Sequence, residues 1–274
     1  MTDASQVFMF QSADGPLAYR EVGTGPPLVL LHGGFTDHRM WDDLVPLLAV
    51  GHRVIAPDAR GHGRSANATR PFRPTDDLAA LLRLLDTGPA VLVGMSMGGA
   101  TAVDTALEHP DLVRALVVSG AGITDPEDAD TWTLENIKNR WDDTLGAGDI
   151  DGWVDVFASA VAGPYRTLDE VDPEVVRRVQ EMARGTISKH TPDEPDHSVP
   201  VTGVPARAKT IAVPVLAING ALDAAGLIAM ADRLVDAVAD GRTVTVEDAA
   251  HYANMEKPYV FTKFLMEWLS RLPA

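Results

Sequence analysis

Cysteine is missing from the chain, which removes disulfides, thiolate metal ligands and cysteine nucleophiles from consideration. Positive charge is scarce: 23 lysines and arginines face 39 aspartates and glutamates, a formal net charge of −16 at pH 7. A surface of that sign repels phosphate backbones and anionic lipid headgroups, so neither nucleic acid nor membrane is expected as a partner. Long hydrophobic runs are also lacking, and the opening "MTDASQVFMFQSADG" has neither a basic start nor an extended apolar stretch. A cytoplasmic location is the resulting expectation.

What remains is a composition suited to a large buried core, with 46% hydrophobic and 23% charged residues. At 274 residues with no shift in composition, the chain reads as one α/β unit with decoration. "QVFMFQ" and "LAYREV" flank "SADGP", whose Asp14-Gly15 pair favours a tight turn between antiparallel strands. The runs "LVLLHGG", "HRVIAPD", "PAVLVGMS", "VRALVVSGAG" and "VPVLAINGALD" are continuously apolar, as strands buried on both faces of a mostly parallel sheet must be. Helical spacing fills the gaps. In "PTDDLAALLRLLDTG", Thr75 is placed as N-cap, Gly88 lies past the end, and Leu78, Leu81, Leu82 and Leu85 share a face. Met97, Ala100, Val103 and Ala106 make the next stripe, and Val260, Phe264, Trp268 and Leu272 a last one. Alternating strands and helices imply βαβ units in an open, doubly wound sheet.

Residues 122–208 break that rhythm. They carry helical patches, "LENIKNRWDDTL", "DGWVDVFASAVA" and "DPEVVRRVQEMARGTI", and more than half of the excess negative charge. We read them as a helical insertion over a core formed by residues 1–121 and 209–274.

The segment "VLVGMSMGGA" sets Ser96 in a G-x-S-x-G pattern where a strand gives way to a helix. A hydroxyl attacks carbonyls only when a base removes its proton and a third group orients that base. His251 follows the last strand-like segment, "RTVTVEDAAH", and Asp223 follows "VPVLAING", at the strand ends where open α/β sheets collect reactive residues. Asp125, after "ALVVSGAG", is a second candidate for the acid.

From "LVLLHGG" through "DARGHGRS" and "GMSMGG" to "AAHYANMEKP", the sequence resembles the α/β-hydrolase superfamily. The likeness covers nearly all of the chain outside the insertion, which in that family would be a cap. It implies an eight-stranded, mostly parallel sheet, with Ser96 as nucleophile, His251 as general base and then acid, and Asp223 as the imidazole's partner. It further implies an oxyanion hole from the backbone N–H of Met97 and one from the "HGGF" loop, Gly34 being favoured over Phe35. Met95 and Ala250 depart from the common pattern, which has histidine and glycine there. In relatives the "DARGHGRS" loop, with Asp58, Arg60, His62 and Arg64, is chiefly structural.

His32 is expected to prop the oxyanion loop, while His190 and His197 match no metal-binding spacing and read as part of a solvated loop. Phe35, Trp132, Trp141, Trp153 and Tyr165 are the candidate substrate contacts; Trp132, Trp141, Trp153 and Tyr165 of the insertion, with Phe157, also suit anchoring it to the core. The expected activity is hydrolysis of an ester or lactone of a small to medium, neutral, partly apolar substrate through an acyl-enzyme, with no metal or organic cofactor. The same triad could serve carbon–carbon bond hydrolysis, perhydrolysis or a biosynthetic tailoring step, and a slow-turnover receptor is a rival of another class. Epoxide hydrolase and haloalkane dehalogenase chemistry is disfavoured, because those relatives use a carboxylate where this chain has Ser96. A homodimer is left open.

Overall fold

The computed structural model describes residues 6–124, 132–191 and 193–272. The chain opens with a hairpin, β1 (Val7–Ser12) and β2 (Gly15–Val22), followed by β3 (Pro27–Leu31), a short α1 (Val45–Leu48) and β4 (Arg53–Pro57). The hairpin turn occupies Ala13 and Asp14, since Ser12 pairs directly with Gly15. The turn therefore sits one residue earlier than the Asp14-Gly15 pair suggests. Then come α2 (Pro74–Leu84), β5 (Ala90–Met95), α3 (Met97–Glu108) and β6 (Val113–Ser119).

Between β6 and β7 the described residues hold no strand. A π-helical stretch (Thr133–Lys138) runs into α4 (Asn139–Gly146), and α5 (Ile150–Ala162), α6 (Pro173–Ile187) and α7 (Val204–Arg207) follow. The chain closes with β7 (Val215–Gly220), α8 (Ala225–Ala237), β8 (Gly241–Val246), α9 (Ala253–Glu256) and α10 (Pro258–Leu269).

The eight strands form one sheet in the order β1-β2-β4-β3-β5-β6-β7-β8. Pairing is antiparallel for β1–β2 and β2–β4 and parallel from β4 onward. Successive residues of the inner strands enter two different cores, as a period of two demands. Leu28 and Leu30 pack with Trp41, Trp153 and Phe261 on one face, while Val29 and Leu31 pack with α2, α3 and α8 residues on the other. Both faces are thus covered, which is why these strands read as unbroken apolar runs. No helix among the described residues is long and apolar enough to cross a membrane.

Three helix readings shift in the structure. Pro74 takes the first position of α2, so Thr75 lies inside the helix with its hydroxyl buried and unpaired rather than acting as N-cap. In α3 the buried face is built from Gly98, Gly99, Ala102, Val103 and Ala106, and Ala100 is exposed. The buried stripe of α10 is Phe261, Leu265 and Trp268, not Val260, Phe264, Trp268 and Leu272. A constant step of four overshoots a turn of 3.6 residues and drifts off the face, whereas steps of four and three stay on it.

Candidate active site

Ser96 stands between β5 and α3 with φ 50° and ψ −117°, a backbone region that side-chain-bearing residues rarely adopt. The neighbouring glycines make the turn sterically allowed. A β-carbon at Gly94 would lie 2.2 Å from the Gly98 carbonyl oxygen, and one at Gly98 would lie 2.2 Å from the Leu31 carbonyl oxygen. The elbow is held by the Ser96 N–H, which donates to the Ser119 carbonyl at 2.8 Å. Although Ser96 occupies the N-cap of α3, its hydroxyl makes no capping bond. The oxygen is left available, and the first N–H groups of α3 have no intrahelical partner.

His251 and Asp223 meet across the ends of β7 and β8. The Asp223 Oδ2 lies 2.9 Å from His251 Nδ1, and its Oδ1 accepts the Ala224 N–H at 2.8 Å. Both residues are buried. Burial pulls the His251 imidazolium below the usual 6.5, but the charge and hydrogen bond of Asp223 outweigh it, and the net displacement is upward. Gly120 permits this contact: with φ +56°, it leaves empty a space where a β-carbon would sit 2.6 Å from His251 Cε1.

Ser96, Asp223 and His251 line one cavity of 250 Å³, whose walls include Gly34, Phe35, Trp132, Trp141 and Phe157. The oxyanion-loop expectation has a local basis. The Thr36 N–H closes a turn onto the Gly33 carbonyl at 3.2 Å, which leaves the N–H groups of Gly34 and Phe35 without backbone partners among the described residues. A β-carbon on Gly34 would lie 3.9 Å from Met97 Cβ, so Gly34 and the start of α3 face one another. His32 props this turn as expected: Ala59 N–H donates to Nε2 at 2.9 Å, so Nδ1 carries the proton and donates to the Gly33 carbonyl at 2.7 Å. Met95, in place of histidine, packs behind the same loop, its sulfur 2.8 Å from where a Gly33 β-carbon would be.

Two substrate-contact expectations are corrected. Trp153 is 0% exposed and absent from the cavity wall; it stacks on Phe157 and meets Phe35 edge-on at 4.8 Å, acting as backing for the rings that do line it. Tyr165 is 66% exposed and lies outside the cavity. Asp125 lies outside the described residues. The 189–198 loop is not simply solvated: Lys189 Nζ donates to the carbonyls of His62, Gly63 and Ser65, and His190 bridges the Gly61 carbonyl and Glu194. The "DARGHGRS" turn is a staple, in which Arg60 forms a two-pronged pair with Asp77 at 2.8 Å and reaches Asp14 and Ser12 of the hairpin. Asp58 binds the His38 N–H and ring and the Arg64 N–H, and Asp37 binds Arg39.

Spacing gave no hint of one further pair. Glu256 accepts the Ala250 N–H at 2.8 Å, one residue before His251, and pairs through its other oxygen with Arg166 at 2.8 Å. Arg166 follows α5, so this nearly buried pair ties the insertion to the histidine loop.

Comparison with known proteins fits this geometry. A sequence model of the family described as alpha/beta hydrolase fold matches residues 26–258. The chain belongs to that family. Among its relatives, the pimeloyl-[acyl-carrier protein] methyl ester esterase of Aromatoleum aromaticum is 29% identical over 85% of this chain and 94% of its own. A solved hydrolase from Pseudomonas aeruginosa PA01 superposes with a TM-score of 0.78 at 27% identity, covering 97% of this chain and 99% of its own. The enol-lactonase of Burkholderia xenovorans LB400 gives 0.74 at 27% identity over 93% and 97% of the two chains. The relatives named here are hydrolytic enzymes, and the eight-stranded, mostly parallel sheet of this chain matches the alpha/beta-hydrolase fold.

Proposed function

We propose that the protein is a serine hydrolase that cleaves a carboxylic ester or lactone of a neutral, partly apolar substrate. The observation that carries this reading is the buried His251–Asp223 pair, at 2.9 Å, lining the same cavity as an uncapped Ser96 hydroxyl on a strained elbow. In this reading Ser96 Oγ attacks the carbonyl carbon while His251 Nε2 takes its proton, and Asp223 stabilises the imidazolium that forms. The tetrahedral oxyanion is met by the N–H groups of Gly34 and Met97; each such donor is worth roughly 3 kcal/mol of barrier. His251 then protonates the leaving oxygen, the acyl-enzyme forms, and water activated by the same imidazole releases the acid.

The substrate class follows from the cavity. Beyond the reactive groups its wall includes Trp132, Trp141, Phe157, Ile137 and Leu227, and no lysine or arginine among the described residues. A carboxylate would therefore meet aromatic faces and no counter-charge. The relatives named as a methyl ester esterase and an enol-lactonase support an acyl-oxygen bond as the target. The helices between β6 and β7, which supply Trp132, Trp141 and Phe157, serve as the cap.

The test is a panel of p-nitrophenyl esters and lactones, assayed with wild type and Ser96→Ala, with fluorophosphonate labelling read in parallel. Turnover and labelling that both depend on Ser96 support the reading. Full labelling of Ser96→Ala, or ester turnover that survives it, overturns it.

A further inference from the structure

The C-terminal end of α5 is wedged between the two loops that carry Asp223 and His251. Gly163 ends this helix with φ 71° and ψ −169°, a backbone region open almost solely to glycine. A β-carbon at Gly163 would lie 2.4 Å from the Leu222 carbonyl oxygen and 2.9 Å from Ala250 Cβ. Leu222 immediately precedes Asp223, and Ala250 immediately precedes His251. The two loops are themselves joined by the Leu222 N–H, which donates to the Ala249 carbonyl at 2.9 Å.

Arg166 fastens that wedge. Its guanidinium donates backward to the carbonyls of Val161 at 3.0 Å and Ala162 at 3.2 Å, the last two of α5, and forward to the Asp248 carbonyl at 3.4 Å. Carbonyls at a helix C-terminus lack intrahelical partners, so a cation held there serves the helix and also ties it to whatever else the cation reaches. Here that is Glu256 at 2.8 Å, whose other oxygen takes the Ala250 N–H. The guanidinium is therefore bonded to the chain on both sides of His251, at Asp248 and at Glu256. Asp248 stands at φ 55°, a left-handed backbone that a residue with a side chain keeps only when its surroundings fix it. The same helix supplies Phe157 and Ala160 to the Ser96 cavity wall, so the substrate seat and both triad loops bear on one rigid element.

We propose that Gly163 and Arg166 are positioning residues, through which the end of α5 sets the contact between His251 and Asp223, so that the insertion helps build the triad as well as cover the cavity. This rests on the Ser96 reading for its chemistry, although the placing of His251 against Asp223 does not. Burial lowers the proton affinity of the His251 ring and Asp223 raises it, so loosening their contact lets burial prevail and moves the ring down. Loss of the Arg166 charge by itself acts the other way, since a departing cation favours the imidazolium. The sign of the shift thus separates misplacement from a direct charge effect. Tyr252, which meets the ring edge-on at 5.5 Å, is pushed up by burial and by Asp223 and stays neutral.

The experiment measures kcat, KM and the pH profile of kcat/KM for p-nitrophenyl acetate in wild type, Arg166→Met, Arg166→Lys, Gly163→Ala and Gly148→Ala. Arg166→Met and Gly163→Ala should lower kcat about tenfold or more, change KM by less than about threefold, and move the acid limb to lower pH. Arg166→Lys, which keeps a cation for Glu256, should fall between Arg166→Met and wild type. Gly148→Ala strains the insertion at φ +70° with nothing within 4 Å of the added carbon, and should keep the wild-type limb. In parallel, the low-field proton resonance of His251 Nδ1–H, assigned in Ser96→Ala by its loss on adding His251→Gln, should move upfield or vanish when Arg166→Met is added instead. An unmoved limb and resonance in cooperatively melting Arg166→Met overturns the proposal, and so does a limb displaced to higher pH. If ester turnover survives Ser96→Ala, the nucleophile reading falls and the resonance alone decides the positioning role. Turnover lost in Ser96→Ala, with a resonance that ignores Arg166→Met, sinks the positioning role alone.

Discussion

Gly120→Ala places one methyl group against the His251–Asp223 pair, and its cost can be worked from the coordinates. The new carbon would stand 2.6 Å from His251 Cε1, 2.7 Å from Nδ1 and 3.1 Å from Asp223 Oδ2. The imidazole is buried and bonded to Asp223, so it must shift rather than swing away. The backbone at φ +56° adds left-handed strain. That strain is worth about 1–2 kcal/mol and overpacking about 1–3 kcal/mol, together roughly 3 kcal/mol and a melting drop of about 6–12 °C. Displacing the imidazole by the order of 1 Å should lower kcat by about 10²-fold. Gly88→Ala is the control, because Gly88 has φ +64° with nothing within 4 Å of the added carbon. It should show the backbone strain alone, with activity retained. The assay is thermal melting beside ester kinetics for both variants. Equal melting drops with wild-type turnover in Gly120→Ala would refute the reasoning, since the methyl group would then not be touching the imidazole.

Asp223→Asn should lower kcat by around 10⁴-fold, by analogy with other triads, and Asp125→Asn should do little; the reverse ranking would move the acid to Asp125. His251 must be neutral to accept a proton and Asp223 displaces it above 6.5, so kcat/KM should rise with pH on an acid limb whose midpoint lies above that value. In Asp223→Asn the stabilising charge is gone and the limb should move to lower pH; an unmoved limb would assign it to another group. Glu256→Ala strips the Ala250 N–H of its acceptor and leaves Arg166 only the Val161, Ala162 and Asp248 carbonyls, which should cost about 1–3 kcal/mol of stability and reduce kcat more than it changes KM. Glu256→Gln, which retains an acceptor, should restore most of kcat; failure to do so would confine Glu256 to a purely structural role.

The inner strands were legible because buried parallel strands have an unmistakable composition, and the elbow was legible because crowding forces glycine at fixed offsets from Ser96. Asp223 and His251 could be picked out for a similar reason, since each follows a strand directly. Packing between distant segments left no such trace. Trp141 and Trp153 look alike in sequence, yet only their placement on α4 and α5 makes one a wall and the other its backing. Tyr165 lies in the loop after α5 and points to solvent, which no periodicity records. The same holds for Arg166 and Glu256, whose partnership depends on how the insertion meets the histidine loop.

The most direct test of the proposed chemistry is to stop the reaction halfway. His251→Ala, exposed to an activated ester such as p-nitrophenyl acetate and digested for mass spectrometry, should carry an acetyl group on the peptide containing Ser96, and the same treatment of Ser96→Ala should leave that peptide unmodified. An acyl group found on another residue, with Ser96 bare, would contradict the account.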